Sequence, residues 1–279
     1  MAGNYANAGQ MHFDVPQRKG KPENLFTPKQ LIVSVGLRTS PAYEIGRICE
    51  EAIAEAKMLY EAGVRNMMLQ NVKDVPMPEG SKLSAVSAMS VICKSVREAI
   101  PDDCIIGLSI LKDHGEALVT VAETTGMDYI RPKCYVGAVV SYDGIHEGII
   151  SDVLETKKEL QSNVEIIPDI FDRTSSPLGS TTLVEAVGQA VSFGLAKAVI
   201  LTGKDFPESI EMAKKVRKAF PDLYLYLGGG ANPDNLKEAY DHFDGIFVAS
   251  CLKDTGNMTG RLDQEKLQAF MNAYAKIIE

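Results

Sequence analysis

From Leu31 onward, short apolar and β-branched runs alternate with longer segments whose apolar residues recur at helical spacing. This alternation predicts parallel strands, each followed by a helix that covers the sheet. Strands are predicted at 31–36, 65–70, 104–110, 128–133, 164–169, 197–202, 223–228 and 245–250. Helices are predicted near 43–62, 83–99, 115–125, 146–161, 181–193, 207–219, 233–240 and 263–278.

Glycines mark the ends of several predicted helices. Gly63, Gly126 and Gly194 precede strands two, four and six, where a left-handed residue ends a helix. Strands three and seven are instead preceded by Ala-Ile-Pro-Asp and Ala-Phe-Pro-Asp. Alternation of these two kinds of connection over eight strand–helix units favours an α/β fold of the (βα)8 TIM barrel type, with an open doubly wound sheet as the alternative. We expect one barrel domain at 30–279 and a short N-terminal extension at 1–29, either disordered or packed across the barrel.

Charge and cysteine usage exclude several classes of protein. The 29 Lys and Arg against 37 Asp and Glu give a formal net charge of −8, without a basic cluster for a phosphodiester backbone, so no nucleic-acid partner is expected. No apolar run approaches the roughly 20 residues that span a bilayer. The five dispersed cysteines lack a C-x-x-C pair, and the N-terminus lacks a signal peptide, which together predict a cytoplasmic protein with free thiols.

A glycine run closes strand seven. In a barrel of this type, functional groups come from the C-terminal ends of the strands, and phosphate is often bound after strands seven and eight. Gly228, Gly229 and Gly230 would let the backbone approach an anion, and Ala249 and Ser250 follow strand eight. The ends of strands seven and eight together predict a phosphate-binding site. The simpler interpretation is that the three glycines only form a tight turn.

Polar residues at the other strand ends supply the catalytic and binding candidates. Asp169 follows an apolar strand, so we expect it to act as a general acid or base, with a structural salt bridge to Lys133 or Arg131 as the alternative. Lys133 is expected to anchor an anionic group in preference to forming a Schiff base, and Asn71 is the third catalytic candidate. The substrate-binding candidates are Arg131, Lys112, Asp113, Thr202 and Gly203.

Metal and cofactor chemistry has weaker support in the sequence. A divalent metal site would need several acidic and histidine side chains to converge, but their spacing does not demand one, and no cofactor is expected. The side chains concerned are Asp113, His114, His146, Asp169 and Asp172. The motifs of zinc proteases, P-loop proteins, serine hydrolases and dinucleotide-binding proteins are absent from the sequence.

Short elements at several strand ends carry a family resemblance. They are Gln70–Pro76, Gly107–Asp113, Tyr129–Arg131, Gly137–Ala138, Asp143–Gly148, Pro168–Asp169, Ser176–Leu178, Leu201–Gly203, Gly228–Asn235 and Val248–Lys253. In this order they resemble the BtpA/SgcQ family of barrel proteins, from about Leu31 to Phe270. The resemblance implies a ribulose-phosphate-binding type of barrel, in a family known for a member needed in photosystem I biogenesis.

The chain departs from the family pattern at polar positions. Gln70 stands where the resemblance implies glutamate, Lys73 where it implies glycine, and Lys133 where it implies a neutral residue such as asparagine. The segment Ser109–His114 differs as well. The core and phosphate elements are retained, which favours an altered substrate or reaction, with loss of activity as the alternative.

These observations favour an enzyme that anchors a phosphorylated small molecule, a sugar phosphate or nucleotide, for lyase, aldolase or isomerase-type acid–base chemistry. A non-enzymatic accessory or assembly protein is the second hypothesis. A metal-dependent nucleoside or phosphoester hydrolase is the third. We expect a homo-oligomer, as barrels of this type often form.

Overall fold

The structure is a computed structural model that describes residues 25–74 and 76–279. The strands are β1 (Gln30–Gly36), β2 (Asn66–Gln70), β3 (Ile105–Ser109), β4 (Tyr129–Ile130), β5 (Ala138–Ser141), β6 (Gly144–Glu147), β7 (Glu165–Ile166), β8 (Asp169–Ile170), β9 (Ser175–Pro177), β10 (Ala198–Leu201), β11 (Tyr224–Leu227) and β12 (Gly245–Val248). The helices are α1 (Ile45–Glu61), α2 (Leu83–Ala99), α3 (Gly115–Thr125), α4 (Ile150–Glu159), α5 (Leu183–Ser192), α6 (Phe206–Ala219), α7 (Leu236–His242) and α8 (Gln264–Ile278). Of the predicted extension, residues 1–24 lie outside the described part of the chain.

The main sheet closes into a barrel. Its parallel strands run in the order β7-β4-β3-β2-β1-β12-β11-β10-β8. β7 and β8 are two halves of one strand, interrupted at Pro168, which has no N–H to donate. The Ile167 N–H donates to the Ile130 carbonyl at 2.9 Å, and the Ile200 N–H donates to the Pro168 carbonyl at 2.8 Å. Residues 165–170 therefore bond to β4 on one side and to β10 on the other, which closes the ring. The predicted eight-stranded barrel is confirmed.

Large side chains fill the inside of the barrel, and two glycines make room for them. The interior cluster contains Ile32, Met68, Ile105, Tyr129, Ile167, Ala198, Ile200, Tyr226 and Phe247. A Cβ on Gly107 would lie 2.1 Å from the Tyr129 ring, and one on Gly245 would lie 2.1 Å from the Tyr226 ring. The buried hydroxyls also have partners, since Tyr129 donates to Asn66 Oδ1 at 3.1 Å and Tyr226 donates to Gln30 Oε1 at 2.8 Å.

The helices pack an apolar stripe against the outside of the sheet, as their periodicity predicts. Two of the three predicted left-handed glycines are confirmed, with φ of +99° at Gly63 and +84° at Gly126. The third prediction is wrong, because Leu195 rather than Gly194 has the positive φ. Gly194 has a packing role instead, since a Cβ there would lie 2.4 Å from the Tyr135 ring.

A small antiparallel sheet over the barrel mouth was not predicted. Its order is β6-β5-β9, and we call it the roof sheet. The predicted helix at 146–161 is therefore wrong at its start, because residues 144–147 form β6 and the helix begins at Ile150. Asp143-Gly144 between two short alternating runs is a hairpin signal, and Gly144 has a φ of +126°. Among the described residues, no helix has the length and apolar character needed to cross a membrane.

Candidate functional site

The carboxyl ends of the barrel strands open into a cavity of roughly 1000 Å³ beneath the roof sheet. The predicted site residues that line it are Lys112, Asp113, Arg131, Lys133, Thr202, Gly228, Gly229, Gly230, Ala249 and Ser250. Asn71, Asp169 and Gly203 are predicted site residues that are not part of the lining. The C-terminal face of the barrel thus gathers most of the sequence candidates into one place, as expected for this fold.

One side of the cavity is a glycine corner, formed by Thr202 and Gly228–Gly230. A Cβ on Gly228 would lie 2.0 Å from Thr202 Oγ1, so this position has room only for glycine. Without a side chain, the Gly228 backbone is exposed to the cavity. Gly230 has a φ of +91°. Thr202 Oγ1 is buried and has no hydrogen-bond partner in the described chain. The corner therefore presents backbone groups to the cavity and contains one buried hydroxyl without a partner in the described chain.

Arg173 is the cation beside this corner. Its Nη2 lies 3.5 Å from the position that a Gly229 Cβ would occupy, and the residue lines the cavity. Within the described residues, its guanidinium has neither an ion pair nor a hydrogen bond. The sequence places Arg173 just after strand five, and no local pattern indicates that its side chain lies beside the loop after strand seven.

The loop after β11 is held by its own side chains. Asn232 Oδ1 accepts from the N–H groups of Asp234 at 2.9 Å and Asn235 at 3.2 Å, so Asn232 caps the turn that leads into α7. Asn235 Nδ2 in turn donates to the Gly230 carbonyl at 2.9 Å. On the neighbouring strand end, Ser250 begins a single 3-10 turn. The glycine corner is thus a preformed surface.

Four charged side chains form a group at the cavity, and we call Arg131, Lys133, Asp169 and Asp172 the charge cluster; all but Asp169 line the cavity. Arg131 donates to both oxygens of Asp169, at 2.8 and 2.9 Å. Lys133 Nζ lies 3.2 Å from Asp169 Oδ2 and 2.8 Å from Asp172 Oδ2. The Asp169 side chain is 0% exposed. The salt bridge that the sequence left open as an alternative role for Asp169 is therefore present.

Pairing fixes the charges of two members of the cluster. Burial by itself raises the pKa of Asp172, but Lys133 and the hydroxyl and N–H of Thr174 outweigh burial and hold that pKa below its ordinary value. Burial lowers the pKa of Arg131, and the adjacent Asp169 carboxylate more than reverses this. At neutral pH, Asp172 is a carboxylate and Arg131 is a guanidinium ion.

Asp113 has a different environment from the charge cluster. Its Oδ2 accepts from the backbone N–H groups of Lys133 at 2.5 Å and Cys134 at 2.6 Å. Its Oδ1 is buried without a partner among the described residues. Burial raises the pKa of Asp113 to about 7, although the two N–H groups and the Lys133 charge act in the opposite direction. Asp113 can therefore gain or lose a proton near neutral pH.

Substituting Asp113 with asparagine is expected to flatten the pH dependence of stability. Between its ordinary pKa of 3.8 and about 7, the folded state binds a proton at Asp113 that the unfolded chain does not. The free energy of unfolding should therefore fall as pH rises through this window, by up to about 1.4 kcal/mol per pH unit from this group. Urea denaturation of both proteins at the two ends of the window measures the difference. If the free energy of unfolding changed equally with pH in both proteins, the raised pKa of Asp113 would be contradicted.

Three further candidates have structural partners. Asn71 joins the loops after β2 and β3, since its Nδ2 donates to the Leu111 carbonyl at 3.0 Å and its Oδ1 accepts from the Leu111 N–H at 2.7 Å. Lys112 Nζ lies 3.0 Å from both Glu79 and Asp143, which ties the roof sheet to the barrel. The Gly203 N–H donates to Ser209 Oγ at 2.9 Å at the start of α6.

The residues considered for a metal site do not converge. His146 Nε2 contacts Asp143 Oδ1 at 2.8 Å and Ser141 Oγ at 3.1 Å, while His114 Nδ1 accepts from the Ala117 N–H at the start of α3. In residues 25–74 and 76–279, no group of three or more His, Cys, Asp or Glu side chains is arranged to hold a metal ion. The condition for the hydrolase hypothesis is not met in this part of the chain.

Comparison with known proteins identifies relatives of the chain. Residues 29–276 match the model of the BtpA family, which confirms the resemblance at the strand ends. "Photosystem I biogenesis protein BtpA" of Synechocystis sp. is 30% identical over 82% of this chain and 80% of the relative. "Uncharacterized protein MJ1115" of Methanocaldococcus jannaschii is 26% identical over 91% of this chain and 98% of the relative. Matches of this length extend over almost the whole barrel.

Solved structures share the fold at low sequence identity. KGPDC from Streptococcus mutans has a TM-score of 0.56 and 13% identity, covering 90% of this chain and 100% of that chain. Phosphoribosyl anthranilate isomerase from Thermus thermophilus has a TM-score of 0.55 and 14% identity, covering 89% and 99%. At such identities the likeness supports the barrel architecture alone.

Proposed function

The chain belongs to the BtpA family, and we propose that it is an enzyme that binds a phosphorylated small molecule, a sugar phosphate or a nucleotide, at its glycine corner. The observation that carries this proposal is Arg173, a cavity-lining guanidinium without an ion pair in the described chain, beside Gly229. Backbone N–H groups and a free guanidinium together suit a phosphate dianion.

Acid–base chemistry of the lyase, aldolase or isomerase type fits the remaining groups. In this proposal Asp113 exchanges the proton, because its pKa of about 7 suits a general acid or base near neutral pH. Lys133, at the edge of the cavity and paired with Asp169 and Asp172, donates a hydrogen bond to a substrate oxygen. Asp169 and Arg131 then position Lys133, since both Asp169 oxygens are already bonded.

Phosphate binding is tested by replacing Arg173, the lining cation without an ion pair in the described chain. Arg173→Gln is expected to weaken binding of phosphorylated ligands by about ten- to a hundredfold, the range for a hydrogen bond to a charged group. Gly229→Asp should abolish binding, because the new carboxylate would pair with Arg173 and repel the phosphate. Calorimetric titration with inorganic phosphate and a panel of phosphorylated metabolites measures both effects.

The matched control is Arg65→Gln, at the opposite end of the barrel and exposed to solvent. It should leave phosphate affinity unchanged. Binding that Arg173→Gln and Gly229→Asp do not weaken would refute the assignment of the glycine corner as the phosphate site.

An accessory or assembly role is the second candidate. The cyanobacterial relative is named as a biogenesis protein, and the segments of the roof sheet carry exposed apolar side chains. These are Val140 at 41%, Tyr142 at 86%, Ile145 at 62% and Leu178 at 52% exposure. The absence of any thermal stabilisation by a broad panel of phosphorylated metabolites would favour this role over the enzyme.

A further inference from the structure

The cavity has an apolar side opposite the glycine corner. We call its members the methionine wall: Val72, Met77, Leu111 and Met258. Val72 and Met258 approach each other at the end of β1, because Val72 Cγ1 and the Met258 backbone carbonyl both lie within 3.0 Å of the position of a Gly36 Cβ. Met77 Sδ lies 3.8 Å from Asn71 Nδ2, and Asn71 is bonded to the Leu111 backbone. The wall therefore extends across the ends of β1, β2 and β3, with Met258 supplied by the loop after β12.

The wall and the glycine corner lie on opposite sides of the mouth. In a closed ring of eight strands, the ends of the first three face the ends of the fifth, sixth and seventh. Those opposite ends carry Arg173, Thr202 and Gly228–Gly230. A ligand whose phosphate sits in the glycine corner thus directs its other end toward the methionine wall.

The cavity is larger than a phosphate group alone would fill. A volume of roughly 1000 Å³ is at the upper end of the range that holds drug-sized ligands. Methionine side chains are polarisable and adaptable, and they make favourable contacts with aromatic rings of about 0.3–1.5 kcal/mol. The wall is therefore suited to a flat ring, which a sugar phosphate lacks.

The charges of the cavity disfavour a second phosphate. Its lining cations in the described residues are Lys112, Arg131, Lys133 and Arg173. The first three have carboxylate partners within 3.2 Å, so Arg173 alone is free to neutralise an anion. The roof side adds the carboxylates of Asp143, Glu147 and Asp152. A bisphosphate would place its second charge against these groups or against the apolar wall.

We infer that the ligand is a phosphate monoester whose organic part ends in a flat aromatic ring, as in a nucleoside monophosphate, and that the methionine wall selects the ring. This inference rests on the proposed function, because it uses the glycine corner as the phosphate end. It goes further by excluding small sugar phosphates and sugar bisphosphates as the preferred ligands.

The test compares affinities for phosphorylated probes with and without an aromatic ring. Calorimetric titrations would use inorganic phosphate, ribose 5-phosphate, fructose 1,6-bisphosphate and the four common nucleoside 5′-monophosphates. At least one nucleoside monophosphate should bind ten times more tightly than ribose 5-phosphate, or better. Met77→Gln and Met258→Gln should remove most of this advantage and leave the affinity for ribose 5-phosphate unchanged, because the contact with the ring alone is lost.

The matched control is Met212→Gln, a half-buried methionine on α6 outside the cavity, which should change no affinity. If ribose 5-phosphate binds as tightly as every nucleoside monophosphate, and Arg173→Gln still weakens it, the inference is wrong and the proposed function stands. If none of the probes binds, the proposed function fails, and this inference fails with it. Thermal melting of each variant confirms that it is folded.

Discussion

Replacing Asp169 with alanine is expected to destabilise the folded protein by about 3–5 kcal/mol, the range for removing one partner of a buried ion pair. Arg131 is 5% exposed and gives two hydrogen bonds to this carboxylate, so its guanidinium would remain buried without them. Its contacts with Met68 Sδ at 3.9 Å and with the Phe247 ring at 4.6 Å are weaker substitutes. Urea denaturation at neutral pH, analysed as a two-state transition, measures the loss.

Two further variants separate burial from charge. Asp241→Ala removes one partner of the exposed Lys237–Asp241 pair on α7 and should cost at most about 1 kcal/mol. The double substitution of Asp169→Leu with Arg131→Met should cost less than Asp169→Ala, because it leaves no unpaired buried charge. An effect of Asp169→Ala no larger than that of Asp241→Ala would show that the charge cluster is not a stabilising feature.

Gly107→Ala is expected to cost about 1–3 kcal/mol or more, as overpacking of a filled core does. The new Cβ would lie 2.1–2.6 Å from three atoms of the Tyr129 ring. That ring is fully buried, and its hydroxyl is bonded to Asn66, so it cannot move aside without losing contacts. The measurement is the free energy of unfolding in urea.

The same substitution at Gly46 is the matched control. A Cβ at Gly46 meets nothing within 4 Å on α1, and alanine is the better helix former, so Gly46→Ala should leave stability unchanged or slightly higher. Pairing Gly107→Ala with Tyr129→Leu should cost less than the sum of the two single changes, because the smaller side chain removes the clash. Strict additivity would contradict the packing argument.

Of the three single-residue departures from the family pattern, two lie at the cavity and one lies away from it. Gln70 and Lys133 line the cavity, whereas Lys73 is not part of the lining. Lys133 adds a positive charge where the family pattern implies a neutral residue, and that charge contacts both Asp169 and Asp172. The departures therefore change the charge of the site more than its shape, which supports a substrate or reaction particular to this chain.

Several features followed from the sequence alone, because local physics decides them. Alternation of strand and helix periods determined the eight-stranded barrel, since each segment has one face or stripe that must be buried. The glycine run after strand seven could be located for the same reason, because in a barrel the position of a loop along the chain sets its position around the mouth. Gly63 and Gly126 were also predictable, as ends of helices.

Other features depended on contacts between distant parts of the chain. Arg131 and Asp169 are 38 residues apart, and only ring closure and burial bring them into the contact that occupies both Asp169 oxygens. Arg173 follows strand five, yet its guanidinium lies beside Gly229 in the loop after strand seven. The roof sheet joins β5 and β9 through pairs such as Val139 and Pro177. Side-chain pairing and burial, which set the charges at the mouth, were therefore decided by the tertiary structure, because no local pattern encodes which distant group is the neighbour.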